Sequence, residues 1–349
     1  MRRGHELLLW PAVQGGSFVI LLAPYRPAIW INLEILAAAL VLCGAAAAFA
    51  RSPSQAQSPS TDQATISVET TLVVLPVRVT GPDGDFVSGL TQDQFRVYED
   101  GKRQPITLFR QEDTPVTVGL VVDHSRSMGP KLSSVAAAVS AFAQSSNPED
   151  EMFVVDFSDN VSVEFPGGKP FTNNPRELAQ AVSAVSARGM TALYDAVAEG
   201  LDHLELGHSE KKALIIVSDG GDNASGRKYA DVLQLSRRSQ AVIYAIGLVG
   251  ADEEENPAAL RRLSKDTGGL AFFPGQGESI SEISARIARD LREQYTLGFT
   301  PEKKNGDSYR KIRVEVVAPG RGKLQVRTRA GYFAAPRKPP ADRVSEDRP

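Results

Sequence analysis

From residue 116 onward the chain alternates short, predominantly apolar runs with amphipathic stretches, and this alternation restricts the fold more than any other feature. The apolar runs cover residues 116–122, 152–157, 213–217 and 241–246. Between and after them, residues 131–144, 175–185, 192–206, 229–238 and 257–267 place apolar side chains at helical spacing. A strand that is apolar on both faces must be covered on both faces, and crossover helices do this for a parallel sheet. The expected architecture is therefore α/β, a doubly wound and mostly parallel sheet. Residues 161–165 follow the run 152–157 after the turn Ser158-Asp159-Asn160, which predicts one antiparallel edge strand. Residues 270–273 make a last short strand, and residues 280–292 a closing helix.

The flanks read differently. In residues 65–112, Val73, Val77 and Val79 alternate with other residues, and Pro82-Asp83-Gly84-Asp85 and Asp100-Gly101 mark turns. After the closing helix, residues 294–299, 309–317 and 323–328 alternate again between Gly-rich turns. Three or four strands on each side are too few for two separate cores. The expectation is that residues 65–112 and 294–333 join in one small β-sandwich, with the α/β domain of residues 115–293 inserted between them.

The ends are neither. The only cysteine, Cys43, and both tryptophans, Trp10 and Trp30, lie within the first fifty residues. That stretch holds two apolar runs, residues 7–24 and 28–50, behind the basic pair Arg2 and Arg3. Small residues at Ala48 and Ala50 fit an export-peptidase site, while the length of the second run also fits an uncleaved membrane anchor. Leu42 stands where a lipid-anchor motif on Cys43 would need Gly or Ala. Either reading of residues 1–50 places the folded part outside the cytoplasm: periplasmic, in the cell envelope or extracellular. Residues 51–64 form a Pro/Ser/Gln linker, and residues 334–349 a polar tail rich in Pro and charge, both expected to be disordered. Beyond Ala50 there is no cysteine, so neither a disulfide nor a thiol nucleophile is available. A formal net charge of -3, with Lys and Arg scattered, offers no footprint for nucleic acid.

Chemistry concentrates in three short loops. The apolar run 116–122 ends at Asp123-His124-Ser125-Arg126-Ser127, which puts oxygen side chains at alternate positions. Thr191 opens the helix that follows Gly189-Met190, and Asp219 follows the run 213–217. Taken singly, such residues beside a helix start are ordinary caps, and Asp219-Gly220 is an ordinary turn. In a doubly wound sheet, however, loops leaving the carboxyl ends of neighbouring strands face one crevice. Asp123, Ser125, Ser127, Thr191 and Asp219 then converge as a hard, all-oxygen cage suited to Mg²⁺ and tolerant of Mn²⁺ or Ca²⁺.

Asp123-x-Ser125-x-Ser127, with Thr191 and Asp219 downstream, resembles the metal-ion-dependent adhesion site (MIDAS) of von Willebrand factor A (VWFA) domains, whose sheet is Rossmann-like. The motif of residues 89–101, the run 291–299 and Gly331-Tyr332 resemble an exported bacterial, notably acidobacterial, VWFA-related family. The resemblance implies that Ser125, Ser127 and Thr191 ligate the metal, with Asp123 and Asp219 acting directly or through water. It further implies that a Glu or Asp carboxylate from a protein partner completes the coordination, and that the closing helix can couple to a change of ligand. Pro130 and Lys131 stand where a second, adjacent metal would need acids.

An enzyme is the main alternative. His124, His203 and His208 have no metalloprotease spacing, and the glycine pairs fit no phosphate loop. His124 should point away from Ser125, its neighbour in sequence, and His203 and His208 read as exposed positions near a helix end. No general base stands beside the cage other than its own carboxylates, so no catalytic residue is assigned. Two alternatives remain: a purely structural domain whose metal site is vestigial, and a structural component of an envelope assembly that binds through its β-sandwich.

Overall fold

The computed structural model describes residues 72–164, 168–250, 255–275, 278–302 and 308–333. The expected leader or anchor of residues 1–50, the linker and the C-terminal tail lie outside these.

The apolar runs form the middle of a six-stranded sheet. Strand β5 (Val116–Asp123) pairs in parallel with β6 (Glu151–Phe157) on one side and β8 (Lys211–Ser218) on the other. Strand β9 (Val242–Gly247) and the short β10 (Ala271–Phe272) extend the sheet in parallel beyond β8. Strand β7 (Val161–Glu164) closes the far edge, antiparallel to β6 as its tight turn requires. The fold is thus the expected α/β class, with one antiparallel edge strand.

Side-chain alternation divides the core into two layers. Val118, Leu120 and Val122 of β5 face helices α1 (Leu132–Gln144), α2 (Pro175–Ser183) and α6 (Ile280–Arg292). Val121 points the other way, toward α3 (Leu193–Leu204), α4 (Tyr229–Arg238) and α5 (Pro257–Thr267). Each fully buried Val, Leu or Ile contributes about 1.5–3 kcal/mol, which suffices to fix the register of the central strands. Helix starts follow local chemistry. Asn256 caps α5 by accepting from the Ala259 amide at 3.1 Å, with Pro257 in the first turn where its missing N–H costs nothing. Ser279 and Glu282 cap α6 reciprocally. Helix α1 begins at Leu132 and not at Lys131, because Arg126–Lys131, which includes Pro130, winds as a tighter 3-10 turn.

The remaining strands make two four-stranded antiparallel sheets. One orders β13 (Gln325–Arg327), β1 (Val73–Thr80), β11 (Tyr295–Phe299) and β4 (Leu108–Arg110). The other orders β14 (Gly331–Phe333), β12 (Tyr309–Val316), β2 (Phe95–Glu99) and β3 (Lys102–Gln104). Each sheet interleaves strands from before and after the α/β domain, and Leu75, Val77, Phe95, Val97, Tyr295, Leu297 and Phe299 share one core between them. The Tyr295 hydroxyl donates to the Val87 carbonyl at 2.7 Å and accepts from the Leu90 amide at 3.0 Å, which satisfies it inside that core. Among the described residues, no helix is long and apolar enough to cross a membrane.

Candidate metal centre

Strand β5 delivers Asp123 to the carboxyl end of the sheet, where the chain must turn before α1. Asp123 makes that turn itself: one carboxylate oxygen accepts from the Ser125 amide at 2.8 Å. Its other oxygen accepts from the Ser218 hydroxyl at 2.6 Å, which ties the end of β5 to the end of β8. The Ser125 and Ser127 hydroxyl oxygens lie 3.2 Å apart. Ser127 in turn donates to Asp219 at 2.7 Å, and the second Asp219 oxygen accepts from the Gly221 amide at 3.0 Å. Asp123, Ser125, Ser127 and Asp219 are therefore linked in one run, Asp123 through the Ser125 amide and the other three through their side-chain oxygens.

The chain runs from floor to mouth. Asp123 is fully buried, Ser125 and Asp219 nearly so, while Ser127 is exposed. Burial pushes the Asp123 carboxyl above its ordinary value; the like charge of Asp219 pushes the same way, against hydrogen bonds from Ser125 and Ser218. Two acids thus meet in a recess, and among the described residues neither forms an ion pair with a basic side chain. A buried charge in that position is costly unless a cation offsets it. The donors are all hard oxygens, and no cluster of three or more His, Cys, Asp or Glu occurs among the described residues. This set fits Mg²⁺ or a similar hard ion and does not fit a soft one.

Thr191 arrives from a second loop and is held by its backbone. Its amide donates to the Asn223 side chain at 2.8 Å, and its carbonyl accepts from the Asn223 and Ala224 amides at 2.9 and 3.0 Å. Among the described residues, no hydrogen bond joins the Thr191 side chain to the other four oxygens. The loop is clamped from below as well. Asp159 accepts from the Met190 amide at 2.8 Å, and a Cβ on Gly189 (φ 74°) would stand 2.1 Å from that carboxylate. Gly220 has φ 87°, and a Cβ there would meet the Asn256 carbonyl at 2.6 Å. These glycines let the Thr191 loop approach the β6–β7 turn and the Asp219 loop approach the start of α5.

Asp222, which reads in sequence as a solvated turn residue, is half-buried and caps α3: it accepts from the Tyr194 amide at 3.0 Å and from the Ser225 hydroxyl at 2.5 Å. His124 points away from the cage as expected, with Nε2 2.9 Å from the Val182 carbonyl and Nδ1 against Asp156. Burial alone would lower its imidazole, but the Asp156 contacts outweigh burial and hold it above the ordinary value. His203 corrects an expectation: it is half-buried, its ring centroid 4.3 Å from that of Phe153 and 5.4 Å from that of Phe171. His208 is exposed and pairs with Glu151 at 2.7 Å. Ser218, Asp159, Asp222 and Asn223 are the site residues that sequence reasoning missed or misread. Only Asp159, in the hairpin turn, and Ser218, beside Asp219, had any signal to find.

A doubly wound α/β domain with a hydroxyl–carboxylate recess at the carboxyl end of its central strand defines the class. Residues 118–286 match the family model for the von Willebrand factor type A domain, and this part of the chain is a domain of that family. No curated protein matches the chain. Among solved structures it is similar to a von Willebrand factor type A protein from Catenulispora acidiphila, at 14% identity and a TM-score of 0.46, covering 74% of this chain and 73% of that one. It is also similar to the von Willebrand factor domain of a type V pilus tip protein from Porphyromonas gingivalis, at 13% identity and a TM-score of 0.43, covering 51% of this chain and 97% of that one.

Proposed function

We propose that the protein is an exported binding module that holds one divalent cation, Mg²⁺ by preference, with Asp123, Ser125, Ser127, Thr191 and Asp219, and uses it to capture an acidic residue of a protein partner. The observation that carries this reading is the hydrogen-bonded run from buried Asp123 through Ser125 to exposed Ser127 and Asp219, whose two carboxylates enter no ion pair among the described residues. A bound cation would supply an electrophilic centre for an external carboxylate, with Ser127 an exposed residue among those that would hold it. The protein's own residues do the rest. Ser218 and the Ser125 amide orient Asp123, the Gly221 amide orients Asp219, and Asn223 holds the Thr191 backbone. Hydroxyl ligands add no charge of their own, so a carboxylate from outside completes the site favourably. The apolar residues before Arg51 are read as an export signal or anchor, in keeping with a partner outside the cytoplasm.

The test is calorimetric titration of Mg²⁺ and Mn²⁺ into the metal-stripped protein, with Asp123→Ala as control and circular dichroism to confirm folding. The expected result is saturable one-site binding that the substitution removes. A folded protein that takes up no metal at millimolar concentration sinks the reading. Partner capture undiminished in Asp123→Ala would assign binding to the β-sandwich instead.

A further inference from the structure

The two segments that carry Ser125, Ser127 and Thr191 also carry three exposed residues that the metal site itself does not use: Arg126, Arg188 and Met190. Arg126 lies between Ser125 and Ser127, and Met190 lies directly before Thr191. Backbone bonds fix the two segments side by side. The Arg188 amide donates to the His124 carbonyl at 2.8 Å, and the Arg126 amide donates to the Gly189 carbonyl at 3.4 Å. Met190 is 52% exposed although its amide is anchored, so an apolar side chain is held out to solvent on a braced loop.

Two of these three rim residues are arginines. Among the described residues, neither guanidinium enters an ion pair. The nearby acids are already engaged: Asp159 by the Met190 amide, Asp222 by the Tyr194 amide and Ser225, Asp195 by Arg227 at 3.2 Å. The rim thus carries two exposed arginines with no carboxylate paired to either among the described residues. One external carboxylate would complete the cation and leave both arginines unanswered. Arginine binds a second carboxylate through two parallel N–H donors, and a methionine accepts apolar side chains of varied shape.

We propose that the site reads an acidic peptide segment bearing two neighbouring carboxylates, one for the cation and one for Arg126 and Arg188, with an apolar side chain against Met190. This rests on the metal-binding reading above and adds the chemistry of the partner. Exposed pairs are individually weak, but two of them acting on one carboxylate amount to about 1.4 kcal/mol, or roughly tenfold in affinity.

The experiment uses the full chain in Mg²⁺ and three blocked, fluorescein-labelled hexapeptides: one with a single Glu beside a Leu, one with a second Glu close by, and one with Lys in place of that second Glu. Binding is read by anisotropy, and Mn²⁺ uptake is measured on the same samples by electron paramagnetic resonance. The expected result is that the two-Glu peptide binds about tenfold more tightly than the one-Glu peptide and the Lys peptide more weakly than either. The Arg126→Gln, Arg188→Gln double variant should lose that ranking while taking up Mn²⁺ as before. Equal binding of the first two peptides, or no peptide binding, by a chain that does take up Mn²⁺ overturns the rim proposal alone. A preference for an oligogalacturonate over the two-Glu peptide overturns it in favour of an acidic glycan. Failure to take up Mn²⁺ removes both proposals together.

Discussion

Asp290, on the last helix of the α/β domain, receives the Arg327 guanidinium of the β-sandwich on both carboxylate oxygens, at 2.7 and 2.5 Å. Arg78 of β1 adds a contact at 2.7 Å, and the wholly buried Tyr244 hydroxyl of β9 donates at 2.6 Å. One carboxylate therefore joins the central sheet, helix α6 and the paired sandwich strands β1 and β13. Burial, and then the adjacent Asp290 charge, push the Tyr244 phenol far above its ordinary value, so it stays protonated and donates to Asp290 while accepting from the Gln294 side chain.

Replacing Asp290 by Ala strands two largely buried arginines and a tyrosine hydroxyl. The expected cost is about 3–5 kcal/mol, the range for breaking a buried pair by removing one partner. Urea unfolding of wild type and variant checks this, and a loss below about 1 kcal/mol would show that water replaces the carboxylate.

Gly189→Ala tests the clamp under Thr191. The new Cβ would have to displace the Asp159 carboxylate from the Met190 amide, and the backbone there is left-handed at φ 74°. The expected loss is about 1–3 kcal/mol of stability. A shift in the amide resonances of residues 188–192 should accompany it, and an unchanged melting temperature would contradict the strain argument.

Asn223→Ala should act on metal affinity more than on stability. Asn223 is exposed, yet its side chain fixes the amide of Thr191. If Thr191 is a ligand, loss of its support should weaken Mg²⁺ binding about tenfold or more, as removal of an outer-shell partner generally does. Calorimetry on the variant decides it, and an unchanged affinity would take Thr191 out of the ligand set.

What could be read in sequence was the short-range part. Val118, Leu120 and Val122 announce a central strand because burial on both faces leaves no polar position, and the alternation of Asp123, Ser125 and Ser127 announces the turn that follows it. The pairing of Val73 with Phe299 and of Ile312 with Glu99 joins opposite ends of the chain, and no local periodicity encodes which strands meet. The supports of the site were hidden for the same reason. Ser218, Asp222 and Asn223 do their work on Asp123, Tyr194 and Thr191, which lie far away along the chain, so composition alone offered only a turn. His203 was misread because its partners Phe153 and Phe171 come from outside its own helix.

Two acids of the interlocked loops should respond to pH in opposite senses. Burial works against ionised Asp195, but the Gly226 and Arg227 amides and the Arg227 side chain outweigh it and hold the carboxyl below its ordinary value. A depressed carboxyl contributes stability that is present above the unfolded value, about 3.9, and disappears as pH falls through the folded one. For Asp222, burial comes first and the Asp195 charge adds to it; together they outweigh its hydrogen bonds and raise the carboxyl. Its contribution is complete below the unfolded value and is lost as pH rises through the folded one. Asp195→Asn should therefore destabilise at pH 7 and flatten the acid limb of the stability curve. Asp222→Asn keeps an oxygen for the Tyr194 amide, carries no charge to desolvate, and should cost less at pH 7 than Asp195→Asn does. Urea midpoints from pH 3 to pH 7 separate the two, and equal losses at neutral pH would mean that the Tyr194 cap, and not the buried charge, governs Asp222.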